Sequence, residues 1–365
     1  LTVISGAGRL TLANTFAAQS STVTNGVNNG LLFGAETNYI LGALSGTGNF
    51  ALTNANGDAV LLTHGQNNAS TWYNGIISGS GALTKNGSGQ FVLNNALNTY
   101  SCGTILNNRL TIPIGNSSDT AGPFGIGTLT LNGGQIRGTI GSSVTLSNDV
   151  VFAADTTVPS GGADKVLTFA GPVILTNGTR TLTQISTNLV IFSGVVGDNG
   201  AGYGLIKNGS GPLLLTATNT YGGNTIVGNG TIRLGATDSL PRTVLGLGNI
   251  ADTGFARFDL AGYDQSVTGL TNLGTTMEMT ITNSSGLFST LTVSNALPQI
   301  YGGLITTNIN LVKNGAGMLT LSGGANTYLG STIVTNGVLA IDTNCTVAYS
   351  PVIAVTTNAQ MTILN

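Results

Sequence analysis

Apolar and polar residues alternate along most of the chain, and this alternation predicts short β-strands. Segments with the pattern apolar–Thr–apolar occur at Leu10–Leu12, Leu129–Leu131, Val144–Leu146, Leu291–Val293 and Leu319–Leu321. A period of two puts the apolar side chains on one face and Thr on the other, where its hydroxyl stays in water. Asn-Gly, Gly-Ser-Gly and Gly-Gly between these runs supply the positive φ angles of tight turns. We therefore predict an all-β chain without helices, with strands of about 3–6 residues.

Three longer segments are near-copies of one another and predict a repeat architecture. They read LTKNGSGQFVL from Leu83, LIKNGSGPLLL from Leu205 and LVKNGAGMLTL from Leu311. Each continues through Asn-Thr-Tyr to Thr-Ile, and the spacing from Lys to Tyr is 15, 14 and 15 residues. Self-similarity of this kind is typical of stacked repeats.

A parallel solenoid fits these short strands better than sandwiches, which would need several domains joined by linkers that the sequence does not show. Coils of about 20 residues, stacked about 4.8 Å apart, would give about 18 coils and a rod about 85 Å long. We predict one continuous solenoid over residues 1–365, with no separate globular domain. Between Leu83 and Ile112, the side chains expected to point inward are those of Leu83, Phe91, Leu93, Ile105, Leu110 and Ile112.

The complete motif resembles a known repeat. It reads G-x-G-x-L-x-K-x-G-x-G-x-L-x-L, followed by N-T-Y-x-G-x-T-x-I-x-x-G-x-L, and it covers residues 79–112, 204–234 and 309–341. This pattern resembles the autotransporter-associated β-strand repeat, and residues 258–270 are similar to a segment that often precedes it. The resemblance implies a right-handed parallel β-helix in a secreted passenger or surface protein, hence an extracellular or cell-surface location. It implies no chemistry.

Composition excludes several partners. Charged residues make up 7% of the chain and the net charge is −2, without a basic run, which argues against nucleic acid and anionic lipid. No apolar run approaches the roughly 20 residues that cross a bilayer, so we expect no membrane insertion by this segment. Because the chain begins at Leu1 rather than Met, we interpret it as a mature or excised segment.

The ionisable residues do not predict an active site. The densest carboxylate group is Asp252, Asp259 and Asp264, which we interpret as turn and solvent-facing residues. His64 is the single histidine, so a multi-histidine metal site is excluded, and we expect it at the surface or in a turn. We predict no catalytic, cofactor-binding or metal-binding residues and no enzyme activity. A polysaccharide-acting β-helix enzyme, the least favoured alternative, would need a clustered carboxylate groove.

The lysine and tyrosine that recur in the motif each allow two interpretations. These residues are Lys85, Lys207 and Lys313, and Tyr100, Tyr221 and Tyr328. The lysines could bind an acidic polymer, but we favour solvated residues at strand ends that discourage lateral pairing. The tyrosines could stack on sugars, but we favour rings packed at coil corners with hydroxyls at the surface. Trp72, the only tryptophan, offers little for glycan binding.

The two cysteines, Cys102 and Cys345, lack metal-ligand spacing. About twelve coils would separate them in a straight solenoid, too far for an internal disulfide. They are therefore either two free buried thiols or a bridge between subunits.

The ends of the chain suggest how copies could meet. Both read as strands without caps, and their apolar residues are Leu1, Val3 and Ile4, and Met361, Ile363 and Leu364. Head-to-tail stacking of copies would satisfy such edges and would propagate as a filament. Our first hypothesis is an extracellular structural protein that assembles with itself into a surface fibre. The alternative is a monomeric passenger or stalk adhesin that displays a binding surface, with a cell-surface or extracellular polysaccharide as candidate ligand. We expect no cofactor in either case.

Overall fold

The architecture is taken from a computed structural model. The residues that it describes are 1–107, 110–113, 115–137, 142–159, 165–185, 187–250, 254–274 and 278–364. Packing divides the chain into two compact units. The first unit contains residues 1–177 and 188–190, and the second contains residues 178–187 and 191–365.

The described residues form short β-strands and no helix, as the alternation predicts. The first twenty strands are β1 (Thr2–Ile4), β2 (Leu10–Leu12), β3 (Ala18–Asn25), β4 (Leu31–Phe33), β5 (Asn38–Gly46), β6 (Phe50–Ala51), β7 (Leu61–His64), β8 (Thr71–Tyr73), β9 (Ile77–Ser78), β10 (Ala82–Lys85), β11 (Phe91–Leu93), β12 (Thr104–Asn107), β13 (Leu110–Pro113), β14 (Leu129–Asn132), β15 (Gln135–Ile136), β16 (Val144–Leu146), β17 (Val150–Ala154), β18 (Thr156–Val158), β19 (Leu167–Phe169) and β20 (Val173–Leu175). The remaining strands are β21 (Arg180–Gln184), β22 (Val190–Phe192), β23 (Val196–Gly197), β24 (Leu205–Asn208), β25 (Pro212–Leu215), β26 (Thr225–Val227), β27 (Gly230–Leu234), β28 (Val244–Leu247), β29 (Phe255–Asp259), β30 (Gln265–Val267), β31 (Gly269–Asn272), β32 (Glu278–Thr282), β33 (Ser289–Val293), β34 (Gln299–Tyr301), β35 (Leu304–Thr307), β36 (Ile309–Lys313), β37 (Met318–Leu321), β38 (Thr327–Tyr328), β39 (Thr332–Val334), β40 (Gly337–Ile341), β41 (Ile353–Val355) and β42 (Ala359–Ile363). None of the described segments forms a helix long and apolar enough to cross a bilayer.

Each unit is a parallel β-solenoid, in which a strand pairs in register with the equivalent strand one coil later. In the first unit, β7, β10, β12 and β14 pair in this way, and they stack Leu62, Leu83, Thr104 and Leu129 into one buried column. In the second unit, β25, β27, β29, β32 and β35 stack a fully buried column of Leu213, Ile232, Phe258, Ile281 and Ile305. Such ladders of aliphatic and aromatic side chains form the core.

The parallel β-solenoid expected from the sequence is confirmed, with about 16 turns in place of the expected 18 or so. The 365 residues divided by about 16 turns give about 23 residues per turn. The difference arises because each turn of the solenoid contains about 23 residues, where about 20 were expected from the sequence.

The register of the inner face was predicted correctly in part. Leu83, Phe91 and Leu93 are buried as expected. Ile105 was assigned to the wrong face, because it is 37% exposed while Thr104 and Leu106 on either side of it are buried. A shift by one residue exchanges the two faces of a strand. The side chains of Leu110 and Ile112 lie outside the described part of the chain.

Candidate functional site

The polar residues that recur in the three motifs lie inside the coils and form the same cluster each time. We call each set of Lys, Asn, Tyr and Thr a motif core. The first consists of Lys85, Asn98, Tyr100 and Thr104, the second of Lys207, Asn219, Tyr221 and Thr225, and the third of Lys313, Asn326, Tyr328 and Thr332. All of these side chains are at most 3% exposed. The feature that carries the sequence similarity is therefore internal.

The motif lysines are buried donors, so the expectation that they are solvated is wrong. Lys207 is 0% exposed, and its Nζ donates to the carbonyl oxygens of Asn208, Gly209 and Asn229 at 2.9, 2.6 and 3.2 Å. Nζ of Lys85 donates to the two carbonyl groups that follow it, and Nζ of Lys313 donates to Gly315 and Asn336. The alternative of a cation row for an acidic polymer also fails, because the ammonium groups face inward.

The Asn-Gly that follows each lysine bends the chain so that these carbonyl groups converge. Gly87 and Gly209 have φ angles of +71° and +77°, which residues with a Cβ atom rarely adopt. A Cβ atom at either position would also overlap the backbone of the preceding coil. Glycine is therefore required for the turn that the lysine closes.

Burial changes the acidity of these lysines. It lowers the pKa of Lys85 to about 8 and that of Lys207 to about 7, and it lowers the pKa of Lys313 as well. A lysine of lowered pKa can serve as a base or a nucleophile when substrate reaches it. Here the lysine amino group is buried and donates to backbone carbonyl oxygens, so no substrate reaches it. The arrangement stabilises the turn.

The motif tyrosines are fully internal, so the expectation of surface hydroxyl groups is also wrong. Oη lies 2.6 Å from the Thr Oγ1 four residues later in all three motif cores. Because Thr104 Oγ1 donates to the carbonyl oxygen of Phe124 at 3.0 Å, Tyr100 Oη is the donor to Thr104. Burial raises the pKa of each tyrosine, that of Tyr328 to about 12. This bond explains why Thr104, and not Ile105, faces inward.

The motif asparagines join three successive coils. Oδ1 of Asn98 accepts from the backbone N–H of Ile77 at 2.8 Å, and Nδ2 donates to the carbonyl oxygen of Pro123 at 3.0 Å. Asn219 makes the same pair of bonds, with Val196 N–H at 2.7 Å and Ser239 O at 2.7 Å. Each amide thus bridges the coil before it and the coil after it.

The carboxylates are partly internal. Asp259 is 6% exposed and accepts from Ser284, which contradicts its assignment to solvent, whereas Asp264 is exposed as expected. Asp252 lies outside the described residues. Asp198 is a buried carboxylate that no sequence motif marks. It is 3% exposed and accepts from the N–H groups of Gly200, Tyr203 and Gly222 at 3.0, 2.8 and 3.1 Å. Burial acts to raise the pKa of Asp198, but these backbone donors outweigh it and hold the pKa below its usual value.

His64 lies in the core, so its expected place at the surface or in a turn is wrong. It ends β7 and is 0% exposed, with its ring centroid 4.2 Å from that of Phe91. In the next coil it pairs in register with Lys85. Burial, and then the charge of Lys85, lower the pKa of His64 to about 3. The imidazole is therefore neutral in the folded chain at neutral pH.

The remaining candidate residues differ in accessibility. Trp72 is 56% exposed on β8. Cys102 and Cys345 are both free, but Cys102 is exposed, so the interpretation of two buried thiols holds only for Cys345. At the ends of the chain, the exposed fractions are 85% for Leu1, 59% for Val3, 4% for Ile4, 70% for Ile363 and 41% for Leu364, and Met361 is half-buried. The described residues contain no group of three or more His, Cys, Asp or Glu side chains placed to hold a metal ion.

The three motif cores lie within segments that match a known repeat family in sequence. An autotransporter adhesin of Brucella suis biovar 1 (strain 1330), Adhesin BmaC, is 35% identical over 214 residues, which are 57% of this chain and 6% of that adhesin. The chain thus spans a small part of this relative's length. No solved structure matches the chain. The passenger-associated-transport-repeat family matches residues 83–108, 205–234 and 311–341, which contain the motif cores. These segments are passenger-associated-transport-repeats, and the resemblance drawn from the sequence is confirmed.

Proposed function

We propose that the chain is a surface-displayed passenger segment of an adhesin, a non-enzymatic solenoid whose outer faces make the contacts. The observation that carries this proposal is the burial of every motif-core side chain, at most 3% exposed, within hydrogen bonds that hold coils together. Repeats of this kind maintain a scaffold and leave the outward residues free for recognition. Similarity to an autotransporter adhesin supports the same role and an extracellular or cell-surface location.

A polysaccharide remains the ligand class that we propose. The sequence alone suggested that a single tryptophan offers little for glycan binding, but the exposure of Trp72 favours such a role. Its side chain is 56% exposed on a strand, whereas its neighbour in register, Val92, is buried. An aromatic face held on a rigid strand provides an apolar body for stacking and an N–H group for hydrogen bonding. Lys85, the only charged residue from 71 to 93, is buried, so a neutral saccharide fits this face better than a charged one.

Two experiments test the adhesin role. Intact cells that produce the native protein would be labelled with antibody against this chain, and beads coated with the purified chain would be tested for adherence to host cells and to polysaccharide. We expect surface labelling, and adherence that Trp72→Ala reduces while the circular dichroism spectrum stays unchanged. Thr84→Ala, on another outer strand position, is the matched control. Absence of labelling on intact cells, or adherence no greater than that of albumin-coated beads, would contradict the proposal.

We propose further that copies of the chain assemble with one another into a surface fibre. Leu1, Val3 and Ile363 are more than half exposed, and a head-to-tail contact between copies would bury them. Electron microscopy of the native material, beside a non-reducing gel, tests this assembly. Filaments would support it, and a reducible ladder would assign Cys102 and Cys345 to an intersubunit bridge. Monomers at high concentration would exclude the fibre and leave the adhesin role intact.

A further inference from the structure

His64 is a buried side chain whose polar atoms have no partner. Among the described residues, neither Nδ1 nor Nε2 has a hydrogen-bond partner, and the side chain is 0% exposed. Buried side-chain nitrogen atoms nearly always have a partner, because leaving one without costs free energy. The imidazole therefore occupies a place where an apolar side chain would be more stable.

The other motif cores show which side chain that place accepts. The residue paired with the motif lysine on the preceding coil is His64 for Lys85, Leu182 for Lys207 and Val293 for Lys313. Leu182 and Val293 are buried and apolar. Since two of the three equivalent positions are aliphatic, packing alone does not require histidine here.

The surroundings of His64 oppose a positive charge. Lys85 is its neighbour in register on β10, and the Phe91 ring on β11 packs against it. The other ionisable side chains on the strands around it are Tyr39 on β5 and Tyr73 on β8, and β5, β7, β8, β10 and β11 carry no carboxylate. An imidazolium ion at this place would thus meet a second buried cation and no described acceptor.

We propose that His64 is an acid-sensitive switch in the first unit: its protonation opens the coils that contain β7, β10 and β11. In the opened state the imidazole ring is exposed to solvent and binds a proton, and the bound proton stabilises the opened state relative to the closed one. The equivalent coils of the second unit carry Leu182 and Val293 and stay closed over the same pH range.

The pH range follows from the two protonation equilibria. In the closed state, burial and the charge of Lys85 lower the pKa of His64 to about 3, compared with 6.5 for a free imidazole. Between these values the opened state binds the proton and the closed state does not, so opening becomes more favourable as pH falls. The opening equilibrium constant should rise by about tenfold per pH unit within this range.

Hydrogen exchange of the full chain, followed by mass spectrometry from pH 7 to 4 and corrected for intrinsic rates, tests the switch. In the wild type, we expect peptides covering residues 60–93 to open about tenfold more per pH unit below the free-imidazole pKa. His64→Leu copies the second motif core and should make this opening independent of pH. Peptides covering residues 180–210 should behave alike in both proteins. Equal pH dependence of residues 60–93 in wild type and His64→Leu would overturn the proposal.

A second measurement needs no variant. Because the chain has one histidine, labelled imidazole gives a single set of NMR signals in the full-length protein. In the closed state, we expect these signals to stay those of neutral imidazole well below pH 6, with a separate protonated population appearing as the coils open. A smooth titration near the pKa of free histidine, with no change in hydrogen exchange, would overturn the proposal.

Discussion

The first and second motif cores contain the same Lys, Asn, Tyr and Thr, but their surroundings differ. In the first unit the coil before the lysine contributes His64, which has no described hydrogen-bond partner, and Lys85 donates to two carbonyl groups. In the second unit the same place holds Leu182, and Lys207 donates to three carbonyl groups. The comparison shows that the motif determines the internal hydrogen bonds. The residue beside it differs between the two units, and under our proposal that residue determines how the coil responds to acid.

Removal of the motif tyrosine should give the largest effect. Tyr221→Ala leaves a cavity and an unpaired Thr225 hydroxyl, and it should destabilise the second unit by about 3–5 kcal/mol. Tyr100→Ala should do the same to the first unit. Urea unfolding combined with hydrogen exchange of the local peptides measures both losses.

The matched variants Tyr221→Phe and Tyr100→Phe keep the ring and remove only the hydroxyl. Each should cost about 1–2 kcal/mol. If Phe were as costly as Ala in either unit, the hydrogen bond to Thr, and not the packing of the ring, would dominate the motif core.

Substitution of the motif lysine should destabilise the two units by different amounts. Lys207→Met leaves three carbonyl groups without their donor and should destabilise the second unit by about 2–4 kcal/mol. Lys85→Met leaves two and also removes the cation beside His64, so its cost should be smaller and should fall further in acid. Unfolding at pH 7 and pH 5 measures this difference, and an equal cost for both variants at both pH values would contradict it.

We expect the carboxylate of Asp198 to give the second unit its own acid response, at lower pH than the response proposed for His64. Its pKa is held below the usual value, so the stability it contributes is present above about pH 4 and is lost as pH falls through its folded-state pKa. Asp198→Asn should cost about 1–2 kcal/mol at pH 7 and should remove this loss below pH 4. Unchanged acid unfolding of the second unit in this variant would show that Asp198 does not contribute.

The smallest effect is expected on the outer face. Thr84→Val changes a half-buried outward side chain on β10 and should alter stability by less than about 0.5 kcal/mol. Thr104→Val, on the next strand of the same sheet, removes the partner of Tyr100 and should cost about 1–2 kcal/mol. If urea unfolding gave similar losses of stability for Thr84→Val and Thr104→Val, the inner and outer faces of the sheet would contribute more equally to stability than their burial indicates.

The sequence predicted the strands, the parallel coils and the repeat because each depends on local pattern. Alternation is enough to place Leu83 and Phe91 inside. It fails at Thr104, because threonine is normally assigned to the outer face and nothing in the pattern shows that Tyr100 reaches it.

The buried positions of Lys85 and His64 were missed for a related reason. A charged or ionisable residue is assigned to solvent unless its acceptors are known. The acceptors of Lys85 are turn carbonyl groups, whose direction depends on the φ angle of Gly87. His64 has no described acceptor, so only the register with Lys85 and the column of apolar neighbours reveals its place.

The asparagine that joins three coils also has a mechanical consequence. When tension is applied along the chain, a solenoid loses its outermost coil first, since each coil contacts mainly its neighbours. At Asn98, Asn219 and Asn326 a buried side-chain amide bonds to the backbone of the coil before it and of the coil after it, so removing either adjacent coil breaks this bond in addition to the strand pairing. Extension under load should therefore pause at these points, so that the solenoid yields in steps and keeps a folded remainder.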